Sequence, residues 1–503
     1  MAIPKISGVE TEFGIIARGL DVSPMVASSL LVNAYSDDGL TLRVWDFLNE
    51  TPHVDARGEW DASAEYPHVE SMMANAILTN GARYYVDHAH PEVSTPECST
   101  PTEVVLYDRA AEMIIAESMT RASRRLANGA ELVAYKNNSD GKGNSYGCHE
   151  NYLVDRSVPF GRLQRAVTAH FVSRQVYCGA GKVGVEQPRD GEPRPAFQLS
   201  QRADFFEEEV GLETTIRRPI VNTRDEPHAD PSRFRRLHVI AGDANMSQVA
   251  TWLKVATTSL VLACLEDGMF PDDLAVADPV TEVRRVSHDV TLRHAVTLAD
   301  GTSCTAINLQ RRILGAVVRW LATVEDDCIG GESAAVVAEW SRVLDALETD
   351  PTELADTVDW VAKLRMVQGF AARHGVGLDD SRLRAIDLQY HDMRPERCLA
   401  GRAGLRALVD DTAALAAMTS PPETTRAYFR GSCVAKWPDR VVSANWDGIV
   451  VDTADGLVRI PMMDPMKGTR HLVGSVLQSS GSMDDLLAAL TGTVERLEPD
   501  PGW

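Results

Sequence analysis

Arg83, Tyr85 and Asp87 stand at alternate positions in ARYYVDHAHPE, residues 82–92. In a β-strand this spacing puts all three on one face and leaves Tyr84 and Val86 on the other. A guanidinium, a phenol and a carboxylate in line make either a solvated strand edge or the floor of an active site. The start of the chain repeats the pattern, with Glu10 and Glu12 at i and i+2 in GVETEFGI. Two adjacent carboxylates repel unless a cation joins them, and Mg²⁺, a hard ion that takes oxygen ligands, is the natural resident. Taken alone, the pair also fits an exposed strand. Glu92 and Glu97 follow in HPEVSTPEC, which reads as a loop. Asp87 ends the polar face between Tyr85 and Glu92, so it is the candidate for a carboxylate that does chemistry rather than ligation. His88 and His90 form an H-x-H pair, by itself a poor zinc signature.

Further along, YKNNSDGKGNSYGCHENY (135–152) packs Gly141, Gly143 and Gly147 among polar residues, and such a loop could offer backbone N–H groups to a phosphate. The order of a Walker A loop is absent. His149 and Glu150 follow it. CGAGKVG (178–184) formally contains G-x-G-x-x-G, but VEQPRDGEPRP comes next and cannot supply the helix that a dinucleotide site requires. Arg224, Arg233, Arg235 and Arg236 cluster ahead of the apolar stretch LHVI, which carries His238. Arg426 and Arg430 fall at i and i+4, one face if the segment is helical. Trp446 in NWDG could stack on a base or fill a core. Together these residues describe a Mg-nucleotide site acting on a carboxylate or an amide.

The elements that would position them belong to an α+β chain. Strands separated by long loops come first and a helix-rich half follows, without the regular β-α-β-α alternation of a doubly wound sheet. SPMVASSLLVNAY reads as a helix with Ser23-Pro24 at its start, and DRAAEMIIAESMTRASRRLANG as another, stopped by Gly129. Residues 49–70 have no sustained period and read as a long polar loop. From about 432 the pattern is strand (SANWDGIVVDT), strand (GLVRIPM), helix (MDDLLAALTGTVERL), which sets a boundary between residues 1–430 and a small unit at 431–503. The net charge of −22 over 503 residues argues against general nucleic-acid binding. The eight cysteines are dispersed, with no C-x-x-C pair, as expected of a reducing cytoplasm. No signal-peptide pattern and no uninterrupted apolar run of membrane-spanning length is present.

Five stretches carry a resemblance: GVETEFG, TNGARYYVDHAHPE, YKNNSDGKGNSYGCHENY, VNTRDEPHAD and RRLHVIAGDAN. They resemble the Pup-processing enzymes, a family of Pup ligases and of depupylases that also deamidate Pup, and the likeness runs over nearly the whole chain. YVDHAHPE and the loop at 49–70, with DARG at 55–58, resemble the depupylase branch; GVETEFGI and SYGCHENY are spelled more like the ligase. The resemblance implies a glutamine synthetase-like large domain, a curved antiparallel sheet packed by helices, with a small C-terminal domain. It implies Mg²⁺ held by Glu10, Tyr85 and Glu92, with Glu12 nearby and His149 and His238 at a second part of the site. Arg83, Thr95 and Trp446 would contact ATP, or ADP plus phosphate, and Asp87 would be the catalytic carboxylate, as nucleophile or as general base. Arg224, Arg426 and Arg430 are expected at phosphate or substrate carboxylate on chemical grounds. The activity implied is deamidation of the C-terminal Gln of Pup and cleavage of the Pup–lysine isopeptide bond, with ATP-driven ligation as the alternative. The implied partners are Pup and pupylated proteins, with neither nucleic acid nor membrane.

Overall fold

Six strands form the sheet that matters to the site: β1 (Ser7–Glu12), β2 (Asn75–Ile77), β3 (Arg83–Asp87), β4 (His90–Ser94), β5 (Cys148–Asp155) and β6 (Phe234–Val239). In space they run β6-β5-β1-β4-β3-β2, every pair antiparallel. The computed structural model describes residues 2–36, 44–47, 50–52, 54–58, 74–189, 191, 194–214, 217–490 and 494–497. Most of the loop expected at 49–70 lies outside the described residues.

The sheet is two-faced because its sequences alternate. Val9, Tyr84, Val86, Val93, Tyr152 and Leu237 point to one side and are buried. Each such side chain contributes roughly 1.5–3 kcal/mol relative to exposure. That side is covered by helices α1 (Pro24–Ser36), α2 (Pro101–Arg125), α3 (Phe160–Cys178) and α4 (Gln248–Glu266). Glu150 also points there, where Arg174 of α3 grips it with two bonds of 2.6 and 2.8 Å, so it serves the packing and not the site. Helix α2 starts earlier than the apolar period indicates, at Pro101: the Thr100 side chain accepts the Glu103 N–H, proline fits the first turn, and Arg124 and Arg125 close the negative end. Helix α4 has the length and apolarity of a membrane span, but it is almost wholly buried in this core. After α3 the chain passes directly into the short strand Lys182–Val183, so no helix follows the glycines of CGAGKVG.

The C-terminal segment builds a second core. Helix α5 (Ala427–Lys436) leads into β7 (Val441–Ala444), β8 (Gly448–Thr453) and β9 (Gly456–Pro461). SANWDGIVVDT is therefore two strands broken at Asn445–Asp447, not one. The last helix of this region ends at Ala489, and Glu495–Arg496 pairs with β9 as a strand, not as the end of a helix. Two features depart from a boundary at 430/431. Helix α5 runs through it, and Val44–Trp45 joins the sheet in parallel beside β7, with Trp45 and Ile77 in the same core. A distant piece of chain thus completes this unit.

Candidate active site

The open face of the six-stranded sheet collects the polar residues in two cross-strand rows. Glu12, Glu92, Tyr85 and Asn75 face one another in register, and one step along lie His149, Glu10, Ser94 and Arg83. The alternation of Arg83, Tyr85 and Asp87 is as the sequence indicates. One placement differs: His90–Ser94 is itself a strand and lies between β1 and β3. Glu92 therefore comes from the sheet and not from a loop. The acids still converge, since one intervening strand separates β1 and β3 by only about 10 Å and their side chains reach over it.

They converge as two clusters. The ligand atoms of Glu12, Asp87 and Glu92 all lie within 4.8 Å of one another, and so do those of Glu10, His149 and His238. Burial opposes charge on Glu12, yet a His90 contact of 3.1 Å and the Gly147 N–H at 2.7 Å hold it as an anion and bring it down to about 2. Glu92 goes the other way. Burial and the charges of Asp87, Glu12 and Glu10 push its carboxyl well above the usual range. Three carboxyls with no cation among them are an unfavourable arrangement, and hard oxygen donors at this spacing fit a divalent ion. Tyr85 lies beside Glu92, and burial followed by the Glu92 charge keeps its phenol protonated. It stands there as a neutral oxygen. Asp87 is the accessible member, 38% exposed, and takes a 3.0 Å contact from His88 Nδ1. That contact, with the Asp87 charge, raises His88 to about 9.

In the second cluster burial resists ionisation of Glu10, but the His149 contact at 3.6 Å and the Arg236 charge outweigh it and hold the carboxyl well below its ordinary range. Burial, then Arg236, pushes His238 well down, so its imidazole is neutral, the form that ligates. Asn151 orients this cluster. Its Nδ2 donates to Glu10 at 2.7 Å, and its Oδ1 accepts from Arg236 at 2.9 Å and from His238 Nδ1 at 3.0 Å, which leaves His238 Nε2 for a ligand.

Next to this cluster opens a mainly apolar cavity of about 80 Å³, lined among others by Thr95, Glu10, His228, Arg236, Arg426 and Trp446. Thr95 Oγ1 accepts the Val9 N–H at 3.0 Å. Trp446 packs edge-on against Trp45, ring centres 5.2 Å apart. Arg83 is sandwiched between the rings of Trp45 (4.1 Å) and Tyr85 (3.9 Å).

The arginines divide. Arg426 reaches the cavity wall but is committed to Glu97 (2.7 Å) and to the His228 and Met462 carbonyls. Arg430 is wholly buried, and its bonds go to Glu97, the Gly81 carbonyl and the Trp446 carbonyl. It is a structural tie and does not face the site. Arg224 does retain capacity: its Nε is buried without a hydrogen-bond partner among the described residues. Sequence reasoning named Arg236 only as one of a cluster of arginines, and it missed Arg202. Arg236 shares a strand face with His238 at i−2, a signal present in RRLHV, whereas Arg235 turns to the far side and donates to Val158. Arg202 is fully buried, donates to the Tyr146 carbonyl at 3.0 Å and has no partner for its Nε among the described residues. Burial, then the charge of Arg218, brings it down to about 10.

The glycine-rich loop does not serve as a phosphate cradle. The Gly141 N–H donates to Ser139, that of Gly143 to Glu186 and that of Gly147 to Glu12. Its function here is to hold Glu12.

The model of the family described as Pup-ligase protein matches residues 5–450. A depupylase of Acidothermus cellulolyticus is 47% identical over 503 aligned residues, covering 97% of this chain and 99% of that protein. A Pup deamidase/depupylase of Mycolicibacterium smegmatis is 44% identical over 502 residues, covering 97% and 99%. Among solved structures, the complex of the prokaryotic ubiquitin-like protein Pup with its ligase PafA is similar at a TM-score of 0.79 and 30% identity, over 97% of this chain and 94% of that one. The ligase PafA in complex with ADP is similar at 0.73 and 35% identity, over 80% and 89%.

Proposed function

Since the chain belongs to the Pup-ligase protein family, we propose that it is a hydrolase of the depupylase branch: it deamidates the C-terminal Gln of Pup to Glu and cleaves the isopeptide bond between that Glu and a lysine of a pupylated protein. One site serves both reactions because the acyl part is the same. Length and identity together favour this branch over the ligase, at 44–47% over 97% of the chain against 41–42% over 72–74% of it for the curated ligases.

The observation that carries the mechanism is the position of Asp87, open to solvent at the mouth of a cluster whose other two carboxyls are buried. A substrate amide entering the bowl meets Asp87 first. Asp87 then either adds to the carbonyl itself or takes a proton from the water that does. Glu12 and Glu92 would hold Mg²⁺ with Tyr85 as a neutral oxygen, and Glu10, His149 and His238 would hold a second ion. When bound, the metal supplies positive charge against the oxyanion of the tetrahedral intermediate. Thr95 and Trp446, which line the cavity, and Arg83, held between the Trp45 and Tyr85 rings, would contact the nucleotide base and sugar, and Arg224 and Arg202, which keep unspent donors among the described residues, suit its phosphates. Amide hydrolysis needs no phosphoryl transfer, so the nucleotide is a resident, as ATP or as ADP plus phosphate. The free cysteines, most of them buried, suit a reducing cytoplasm.

The test is to mix the protein with Pup ending in Gln, Mg²⁺ and ATP, and to measure ammonia and ADP separately. Ammonia without matching ADP is expected. In a parallel mix of Pup ending in Glu, a lysine-bearing acceptor protein, Mg²⁺ and ATP, ADP formed in step with a Pup–lysine conjugate would make it a ligase, and release of neither ammonia nor ADP in either mix would overturn the reading. Asp87→Asn should retain nucleotide binding by calorimetry and lose turnover by at least about 10³-fold, the scale of removing a reacting group.

A further inference from the structure

The turn beside Asp87 holds a residue that does not suit it. Asp87 and His90 are the closing pair of the β3–β4 hairpin, so His88 and Ala89 form a two-residue turn. His88 has φ of +51°, in the left-handed region. Two-residue hairpins that need positive φ at their first position favour glycine, asparagine or aspartate there, because the Cβ of most other residues is strained in that conformation. The turn is pinned in place: Ser28 of α1 donates to the Ala89 carbonyl at 2.8 Å. A histidine here therefore costs stability, and residues held this way at a functional site point to a requirement of the site.

The requirement is visible in what the imidazole touches. Its Nδ1 lies 3.0 Å from Asp87 Oδ2, while among the described residues Asp87 Oδ1 accepts no hydrogen bond. The carboxylate of an aspartate at a strand end is otherwise loosely fixed, since its terminal torsion is broad. We propose that His88 is a positioning residue for the hydrolysis: it engages Oδ2, locks the plane of the Asp87 carboxylate, and leaves Oδ1 as the single oxygen presented to the substrate carbonyl or to the attacking water. This rests on the reading of Asp87 as the reacting group.

His88→Gly and His88→Asn test it, because both residues suit the left-handed turn and neither variant is expected to lose its fold. A merely structural His88 would give variants as active as the parent. On the proposal the two orders oppose each other. Thermal stability rises or holds from His to Asn to Gly, while kcat for ammonia release falls, by about tenfold or more for Gly, with KM within about twofold. Asn, whose amide can still donate to Asp87, is intermediate. A stable His88→Gly variant with parental kcat would overturn the proposal and leave the assigned function standing. If the parent itself released no ammonia, the function would fall, and the contact would be judged by a stability cycle of His88→Gly, Asp87→Ala and the double variant. Non-additive stabilities support the His88–Asp87 tie, and additive ones overturn it.

Discussion

Glu92 is 1% exposed and has three other carboxylates for company. Its raised pKa means that, without a cation, the folded state disfavours its charge. The contribution is destabilising once the pH rises above the ordinary carboxylate range, and it vanishes in acid where both folded and unfolded states are protonated. Glu92→Gln keeps the shape and removes one negative charge from the cluster. Two outcomes follow from the same cause. In chelator at neutral pH the variant should melt at the same temperature as the parent or higher. With Mg²⁺ added, its stabilisation should shrink, by about 1.4 kcal/mol for each tenfold loss of affinity at saturating metal. Thermal melts with and without Mg²⁺ measure both. A variant that is less stable in chelator yet equally responsive to Mg²⁺ would remove Glu92 from the metal set.

At the scale of elements, strand β5 carries its own constraint. Gly147 and His149 are two residues apart on one face, and a Cβ at 147 would sit 2.1 Å from His149 Nε2. The imidazole lies over the glycine because nothing else is there. Gly147→Ala should swing the ring away from Glu10 and His238, so metal titration by calorimetry should find the second site weakened while the Glu12–Asp87–Glu92 site remains. Equal loss at both sites, or at neither, would refute this account. The same scale shows what the sequence discloses. A strict period of two places Glu10, Glu12, Arg83, Tyr85 and Asp87 correctly, because each strand needs only its own residues to say which face is which. The period continued through RRLHV would also have found Arg236. β4 escapes because Pro91 inside HPEVS reads as a loop, proline being rare in a central strand. It is tolerated at the strand's second residue, where its carbonyl still accepts the Phe13 N–H at 2.9 Å. Arg430 shares a face with Arg426 as the spacing indicates, but spacing cannot reveal that Glu97 awaits both. Arg202 has no local mark at all. Its significance is a buried charge without a carboxylate partner among the described residues, a property of the assembled fold.

For the whole molecule, the question is how the C-terminal unit stays registered on the six-stranded sheet. No boundary motif answers it, because the connection is made by residues far apart in sequence. Glu97, just past β4, receives Arg426 and Arg430 at the start of α5, and Thr425 donates to its carbonyl at 2.7 Å. Arg430 in turn lies 5.0 Å from the Trp446 ring, and Trp446 lines the cavity proposed for the nucleotide. Burial works against charge on Glu97, but Arg430 and Arg426 outweigh it and bring it down to about 2 from an ordinary value of 4.5. A depressed carboxyl stabilises the fold at pH above its unfolded value and loses that contribution as the pH falls toward the folded one. The window is therefore about pH 4.5 down to about 2, and a shift of this size corresponds to roughly 3 kcal/mol at neutral pH. Glu97→Gln should cost on that order at pH 7, since it leaves two buried guanidiniums without a counter-charge, and much less near pH 3. It should also weaken nucleotide binding, because the arginine under Trp446 loses its anchor. Denaturant titrations at the two pH values, with ADP calorimetry at pH 7, carry the test. A stability difference that does not change with pH would mean that the charge on Glu97 is not what joins the two units.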